Sequence, residues 1–210
     1  MVVSKKIKLF FLLLLFCQRN VFAQSDLQSI ITVALPHSPP YSVISPNSPP
    51  KALVLDILSY FSQTLNYSIK AIECPLPRCL KLLQKGDVDA IGNLLLTPER
   101  ELFLDYIQPA YMELHSSFIF YALKEQHYKV ERYDDLYGKI IGVTRGGAYF
   151  KKFDEDTDLE KIAVVDQTKT YDMLYNKRVD LVIAVEETAK HSNLILNRDL
   201  DKIEKLPYKY

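Results

Sequence analysis

An arginine near the start of a helix is the side chain in this sequence best suited to bind an anion. A short apolar strand is predicted at 88–91, and a helix after it begins with Thr97 as the cap and Pro98 in the first turn. A threonine hydroxyl accepts a bond from a free backbone N–H, and proline suits this position because it has no N–H to leave unpaired. Arg100 is therefore predicted at the mouth of a strand-to-helix turn, where open α/β sheets bind ligands.

The guanidinium group of Arg100 determines what this position can bind. A guanidinium fork holds a carboxylate through two parallel charge-assisted hydrogen bonds. The alternative is an ordinary surface arginine near a helix start, which the helix dipole would mildly disfavour. The sequence leaves both interpretations open.

The elements around Arg100 alternate between strand and helix, which predicts a largely parallel sheet covered by helices. Apolar and alternating runs predict strands at 30–34, 67–72 and 88–91, and helical spacing predicts helices at 52–65 and 79–84. The stretch 38–51 contains two proline pairs and is predicted to be a loop.

The second half of the chain repeats this α/β pattern after a long apolar strand. Strands are predicted at 116–122, 139–143, 162–165 and 181–185, with helices from about Ala148 and at 168–176. We therefore expect an α/β fold of two lobes joined through the 116–122 strand, with a cleft between them of the kind that ligands prefer. The predicted organisation is a signal peptide at 1–23, a first lobe at 24–115, a hinge strand at 116–123 and a second lobe at 124–210.

The first residues predict export. Three lysines precede the apolar run 9–16, and Val-Phe-Ala at 21–23 provides a small-residue cleavage signal, so we expect a signal peptide cut before Gln24 and a periplasmic protein. One alternative is a lipoprotein anchored through Cys17, although Phe16 stands where a small residue is expected. The other alternative is an uncleaved membrane anchor, but the apolar run 9–16 is short for a segment that spans a bilayer.

Composition and cysteine use narrow the function classes. The chain has 26 Lys and Arg against 26 Asp and Glu, a balance that does not favour nucleic acid as a partner. An oxidising compartment would let Cys74 and Cys79 form a disulfide, the alternative being two separate thiols. Two cysteines without a nearby histidine argue against zinc, and the four histidines show no metal spacing. We expect no metal and no cofactor.

Several short motifs, weak alone, follow one another in a specific order. With them the chain resembles the bacterial extracellular solute-binding proteins of family 3, the periplasmic receptors of amino-acid ABC importers, from about 31 to 185. The segments that carry the resemblance are Pro39-Pro40-Tyr41, ALVLDI at 52–57, LQKGDVDA at 83–90, TPER at 97–100, Pro109-Ala110-Tyr111 and DLYGK at 135–139.

The resemblance implies a Venus-flytrap fold (the type II periplasmic-binding fold) whose two lobes close over a small solute. In the family's amino-acid receptors the arginine matching Arg100 clamps the ligand α-carboxylate. An anion contact is expected from the second lobe at Gly146, Gly147 and Ala148, because free N–H groups at a helix start attract anions; a plain tight turn is the alternative. Tyr41 is a candidate aromatic wall for the ligand, or simply packs its loop.

Two departures from the family pattern leave the ligand open. The family's amino-acid receptors have small hydroxyl residues where this chain has Asn93, Leu94 and Leu95, so Asn93 and Leu95 are expected to face the ligand instead. In the family's amino-acid receptors, an acidic residue after the strand at 181–185 pairs with the ligand ammonium. The matching position in this chain is Val185, so Glu186 could take that role only if the alignment shifted by one residue. An amino acid is the default ligand, and other small carboxylates remain open.

Three functions follow from this resemblance. The first is a non-catalytic monomeric receptor that delivers a small polar solute to an ABC permease. The second is a sensor module that reports its ligand to a membrane partner. The third is a dehydratase-like enzyme, for which Glu186 is the only candidate acid or base. In family members the chain crosses back from the second lobe to the first near its end. We expect this return segment to be missing here, either because the gene is shortened or because the second crossing between the lobes has been lost.

Overall fold

The computed structural model describes residues 29–113, 116–195 and 199–210. The predicted signal peptide, the alternative anchor at Cys17 and His115 lie outside these residues. Within the described part of the chain, no helix is long and apolar enough to cross a membrane.

A parallel sheet organises the first part of the described chain. The elements there, in chain order, are β1 (Ser29–Leu35), β2 (Ser42–Ser45), β3 (Ser48–Ala52), α1 (Leu53–Leu65), β4 (Tyr67–Glu73), α2 (Leu76–Lys85), β5 (Ala90–Ile91) and α3 (Pro98–Glu101). Three strands form the sheet in the order β4-β1-β5, and both strand pairs are parallel, as the alternation of elements predicted.

The prediction of a loop at 38–51 is wrong in part, because β2 and β3 form an antiparallel hairpin there. Ser42 pairs with Ala52, and Ser45 pairs with Ser48. The prolines at 49 and 50 lie inside β3. Proline lacks the N–H that a central strand needs, but a two-stranded hairpin has open edges where that N–H is not required.

Alternate residues of β1 pack into two separate cores. Val33 and Leu35 are buried with Val54 of α1 on one face. Ala34 is buried with Cys79 of α2 on the other. Because successive strand side chains point to opposite faces, both sides of this sheet are covered.

A mixed sheet organises the second part of the described chain. Its elements are β6 (Phe118–Leu123), β7 (Ile141–Thr144), α4 (Lys151–Glu155), β8 (Lys161–Val164), α5 (Gln167–Tyr175), β9 (Leu181–Val185), α6 (Glu186–Ile195) and β10 (Ile203–Lys209). The strand order is β10-β6-β9-β7-β8, with β6 antiparallel to both of its neighbours. The long strand predicted at 116–122 is thus a central strand of this sheet.

The strand β10, which the sequence did not predict, brings the chain back to the start of β6. The N–H of Phe118 donates to the carbonyl of Tyr210 at 2.9 Å, and the N–H of Tyr210 donates to the carbonyl of Phe118 at 3.1 Å. The ring of Tyr210 stacks on Phe150 with centroids 4.1 Å apart. The described chain therefore runs back along β6 as far as Phe118.

Candidate functional site

Arg100 lies in α3, at the position predicted from the sequence. Thr97 is the extended N-cap residue, and its Oγ1 accepts a hydrogen bond from the backbone N–H of Arg100 at 3.3 Å. Pro98 is the first helical residue. Local capping chemistry therefore sets where the Arg100 side chain leaves the backbone.

The guanidinium group of Arg100 contacts the main chain of both lobes. The residue is only 7% exposed. Its Nη1 donates to the carbonyl of Leu95 at 2.7 Å, and its Nη2 donates to the carbonyl of Gly146, beyond β7 in the second lobe, at 3.0 Å. A guanidinium has five N–H donors, so donors remain for a ligand.

Burial lowers the pKa of the Arg100 guanidinium from its ordinary value. The ordinary value is so high that the group stays protonated at neutral pH. A buried cation bonded to two neutral carbonyls carries a charge that an anion would neutralise. The position is therefore electrostatically suited to a carboxylate.

A cavity of about 1340 Å³ opens beside Arg100 and is lined by residues of both lobes. Among the described residues that line it, Arg100 is the only lysine or arginine. Four carboxylate residues also line it: Glu73, Asp89, Asp105 and Asp166. The sequence-predicted ligand residues that line it are Tyr41, Asn93, Leu95, Arg100, Gly147 and Ala148.

Two tyrosines hold the turn that precedes α3. The hydroxyl of Tyr111 accepts from the N–H of Asn93 at 2.8 Å and donates to Asn93 Oδ1 at 2.7 Å. The hydroxyl of Tyr106 donates to the carbonyl of Leu95 at 2.8 Å, the same oxygen that Arg100 binds. No role for Tyr106 was predicted from the sequence. Tyr111 appeared there only as part of a family motif.

The turn after β7 differs from the predicted helix start. α4 begins at Lys151, so the helix predicted from about Ala148 is wrong at its first turn. The N–H of Gly147 donates to the carbonyl of Thr144 at 2.9 Å and closes a tight turn. The backbone N–H groups of Gly146 and Ala148 have no partner among the described residues. An anion contact from these two groups stays a prediction.

Gly146 adopts the left-handed conformation, with φ +74°, and lies against the first lobe. A Cβ on this glycine would lie 3.2 Å from Cγ of Pro77 in α2. Its carbonyl accepts the bond from Arg100. Glycine is needed here both for the backbone conformation and for the close approach.

The two acidic residues that follow β9, Glu186 and Glu187, have different partners. Glu186 forms an ion pair with Lys205 of β10 and does not line the cavity. The predicted contact between Glu186 and a ligand stays a prediction, and neither its ion pair nor its position supports it. The carboxylate of Glu187 accepts a bond from Ser116 Oγ. Burial, with a smaller repulsion from Glu187, raises the pKa of the Tyr41 hydroxyl.

The predicted disulfide between Cys74 and Cys79 is confirmed, with the two Cα atoms 5.5 Å apart. It joins the end of β4 to α2, and both cysteines are buried. Cys74 and the next two residues, Pro75 and Leu76, line the cavity. The covalent link therefore holds one wall of the cavity near Pro77. In the described chain, no group of three or more His, Cys, Asp or Glu residues is arranged to hold a metal ion.

The two sheets, the cavity lined by both lobes and the arginine that bonds to both lobes are the features of two-lobed solute-binding proteins. The family model for bacterial extracellular solute-binding proteins, family 3, matches residues 30–177, which is more than half of the chain. The chain belongs to this family. A search of curated proteins finds no match.

Solved structures of binding proteins share the fold. The arginine-bound, truncated (residues 20–233) arginine-binding protein from T. maritima is 17% identical with a TM-score of 0.71, over 84% of this chain and 81% of that one. An ancestral arginine-binding protein bound to arginine is 19% identical with a TM-score of 0.70, over 86% and 83%. An arginine-specific periplasmic binding protein from Salmonella typhimurium is 15% identical with a TM-score of 0.71, over 87% and 79%. At these identities the likeness concerns the fold alone.

Proposed function

We propose that the protein is a periplasmic receptor that captures a small carboxylate-bearing solute, most simply an amino acid, and delivers it to an ABC importer. The observation that carries the proposal is the buried guanidinium of Arg100 at the cavity between the lobes. A buried cation is costly unless it is paired. The guanidinium bonds directly to two carbonyl oxygens, which carry no net charge, and the carboxylates of Asp154 and Glu99 act on it only from outside bonding distance. A ligand carboxylate supplies a negative charge that bonds to it directly.

The contacts of Arg100 also support a mechanism of lobe closure. Because its Nη2 reaches the carbonyl of Gly146, the first and second lobes approach each other at the group that would hold the ligand. Gly146 does not line the cavity, but Ala148 does. A solute bound to Arg100 and to the N–H group of Ala148 would bond to both lobes at once. Such a ligand favours the closed form, because only that form provides both sets of contacts.

The choice of an amino acid draws on the family and on the ligands of similar proteins. Two of the solved relatives are bound to arginine, and an ancestral arginine-binding protein was also solved with glutamine. All of these ligands carry an α-carboxylate. The four carboxylate residues in the cavity lining add negative charge to the same cavity, which suits a ligand that also carries a positive group.

A thermal-shift screen tests the proposal. The purified chain is heated with each common L-amino acid and with the matching amino-acid amides, which lack the free carboxylate. A ligand that binds only the folded chain raises its melting temperature. We expect at least one amino acid to raise it and its amide to have no effect. Equal shifts with acid and amide, or no shift with any acid, would contradict the proposal.

The importer partner needs its own test, because a membrane sensor could read the same closed form. Permease and ATPase genes beside the gene of this protein would support an importer. A kinase or cyclase gene in that place would instead indicate a sensor.

A further inference from the structure

The hydroxyl group of Tyr111 makes both of its hydrogen bonds to one residue, Asn93. It accepts from the backbone N–H at 2.8 Å and donates its own proton to Oδ1 at 2.7 Å. Burial raises the pKa of this hydroxyl, so it keeps the proton at neutral pH. One hydroxyl therefore fixes both the backbone and the side chain of Asn93.

The backbone at this turn has little freedom to change. Asn93 adopts a left-handed conformation with φ 57°. A Cβ on the preceding residue, Gly92, would lie 2.6 Å from Cβ of Val54 and 3.0 Å from the Tyr111 hydroxyl. The turn is thus enclosed between α1 and Tyr111.

The bond to Oδ1 decides what the Asn93 amide offers to a ligand. An asparagine side chain has one acceptor oxygen and an NH₂ group with two donors. Tyr111 engages the oxygen, and no described residue accepts a bond from the NH₂ group. Both residues line the same cavity as Arg100. The part of Asn93 left for a ligand is therefore a hydrogen-bond donor.

We propose that Tyr111 is a positioning residue that makes Asn93 a hydrogen-bond donor to an acceptor oxygen of the captured solute, a carboxylate or carbonyl, next to Arg100. A ligand ammonium is excluded from this position, because it would meet donors rather than acceptors. The inference rests on the proposed function and specifies which end of the solute lies at the turn before α3.

Calorimetric titration of four chains tests this inference: the wild type, Tyr111→Phe, Asn93→Gly and the double variant. The probes are L-arginine, L-glutamine and the other common L-amino acids, each titrated singly. Tyr111→Phe is expected to weaken binding about five- to tenfold, the range for a lost hydrogen bond. Glycine tolerates the positive φ at position 93, so Asn93→Gly removes the amide while allowing the turn. Tyr60→Phe, at a side chain 78% exposed, is the matched control.

The double variant separates a positioning role from a general structural one. If Tyr111 acts through Asn93, Tyr111→Phe has no further effect once Asn93 is glycine. An equal loss in both backgrounds, or wild-type affinity in Tyr111→Phe, would overturn the inference.

Asn93→Asp tests the polarity of the contact. The aspartate can still accept the hydrogen bond from the Tyr111 hydroxyl, but it presents a negative charge where the amide presented two N–H donors. Binding is expected to fall further than in Asn93→Gly, and binding tighter than wild type would overturn the inference. If the wild type binds no amino acid, the proposed function fails as well. If binding is lost in Arg100→Ala yet unchanged in Tyr111→Phe, only this inference fails.

Discussion

The Nη2 atom of Arg100 donates a 3.0 Å hydrogen bond to the carbonyl oxygen of Gly146. One residue belongs to the turn-and-helix unit of the first lobe, and the other follows β7 in the second. Gly146 also approaches Pro77, so it meets the first lobe at two places. In the proposed function, lobe closure and ligand capture would therefore use the same few atoms.

Replacing Gly146 by alanine should weaken both folding and ligand binding. The left-handed φ of +74° is expected to cost an alanine about 1 to 2 kcal/mol, and the new methyl group would meet Pro77. Gly138→Ala is a matched control, because Gly138 has the same φ of +74° but nothing within 4 Å of a Cβ. In urea unfolding both variants should lose stability, while only Gly146→Ala should lose ligand affinity. Equal affinity in the two variants would argue against a role of Gly146 in closure.

Reduction of the disulfide should destabilise the chain by about 2 kcal/mol, because the bond closes only a short loop. Urea unfolding with and without a reductant measures the loss. The Cys74→Ser, Cys79→Ser double variant should match the reduced wild type and should not respond to the reductant. We also expect weaker ligand binding in it, because the disulfide holds the cavity wall next to Pro77. Unchanged ligand affinity in the double variant would mean that the disulfide contributes to stability but not to ligand binding.

Asp156 should make the fold sensitive to acid. Hydrogen bonds from the Tyr133 and Tyr137 hydroxyls, at 2.8 and 2.9 Å, lower the pKa of this carboxyl from its ordinary value. The unfolded chain then binds the proton more readily than the folded one. The stabilisation is present above the unfolded pKa and is lost as the pH falls through the folded pKa.

Urea midpoints from neutral pH into the acid range measure this effect. As the pH falls, the urea midpoint of Asp156→Asn should decrease less steeply than that of the wild type. The midpoint of Asp158→Asn, a substitution at an exposed neighbour, should decrease as steeply as that of the wild type. The same acid slope in Asp156→Asn and in the wild type would rule out Asp156 as the source.

Glu186→Gln should leave ligand affinity nearly unchanged. The Glu186 carboxylate pairs with Lys205 on β10, and the residue does not line the cavity. The pair is exposed, so its loss should cost at most about 1 kcal/mol of stability. Calorimetry on the variant, with Lys205→Gln as the matched partner variant, checks both statements. A large loss of affinity in Glu186→Gln alone would give this acid a ligand role.

The parts of the site that local chemistry determines could be predicted from the sequence. Thr97 and Pro98 determine the start of α3, and with it the position of Arg100. The two cysteines stand close enough in the chain for their pairing to be inferred. The alternating strands and helices of the first lobe likewise led to its parallel sheet.

The parts that depend on distant contacts could not be predicted. β10 is held by pairing with β6, some 80 residues earlier in the chain, which no local pattern reveals. The turn at 144–149 looks like a helix start, but Gly147 bonds back to Thr144 and the helix begins later. The hydrogen bond from Tyr111 to Asn93, on which its proposed role rests, forms only because the fold brings the two residues together.

Calorimetric titration of Arg100→Ala with the amino acid that most stabilises the wild type tests the central claim most directly. Arg178→Ala, which removes an exposed arginine outside the cavity, is the control for loss of a positive charge. Binding should be abolished in Arg100→Ala and unchanged in Arg178→Ala. Wild-type affinity in Arg100→Ala would mean that this guanidinium does not hold the ligand, and the proposed site would be refuted.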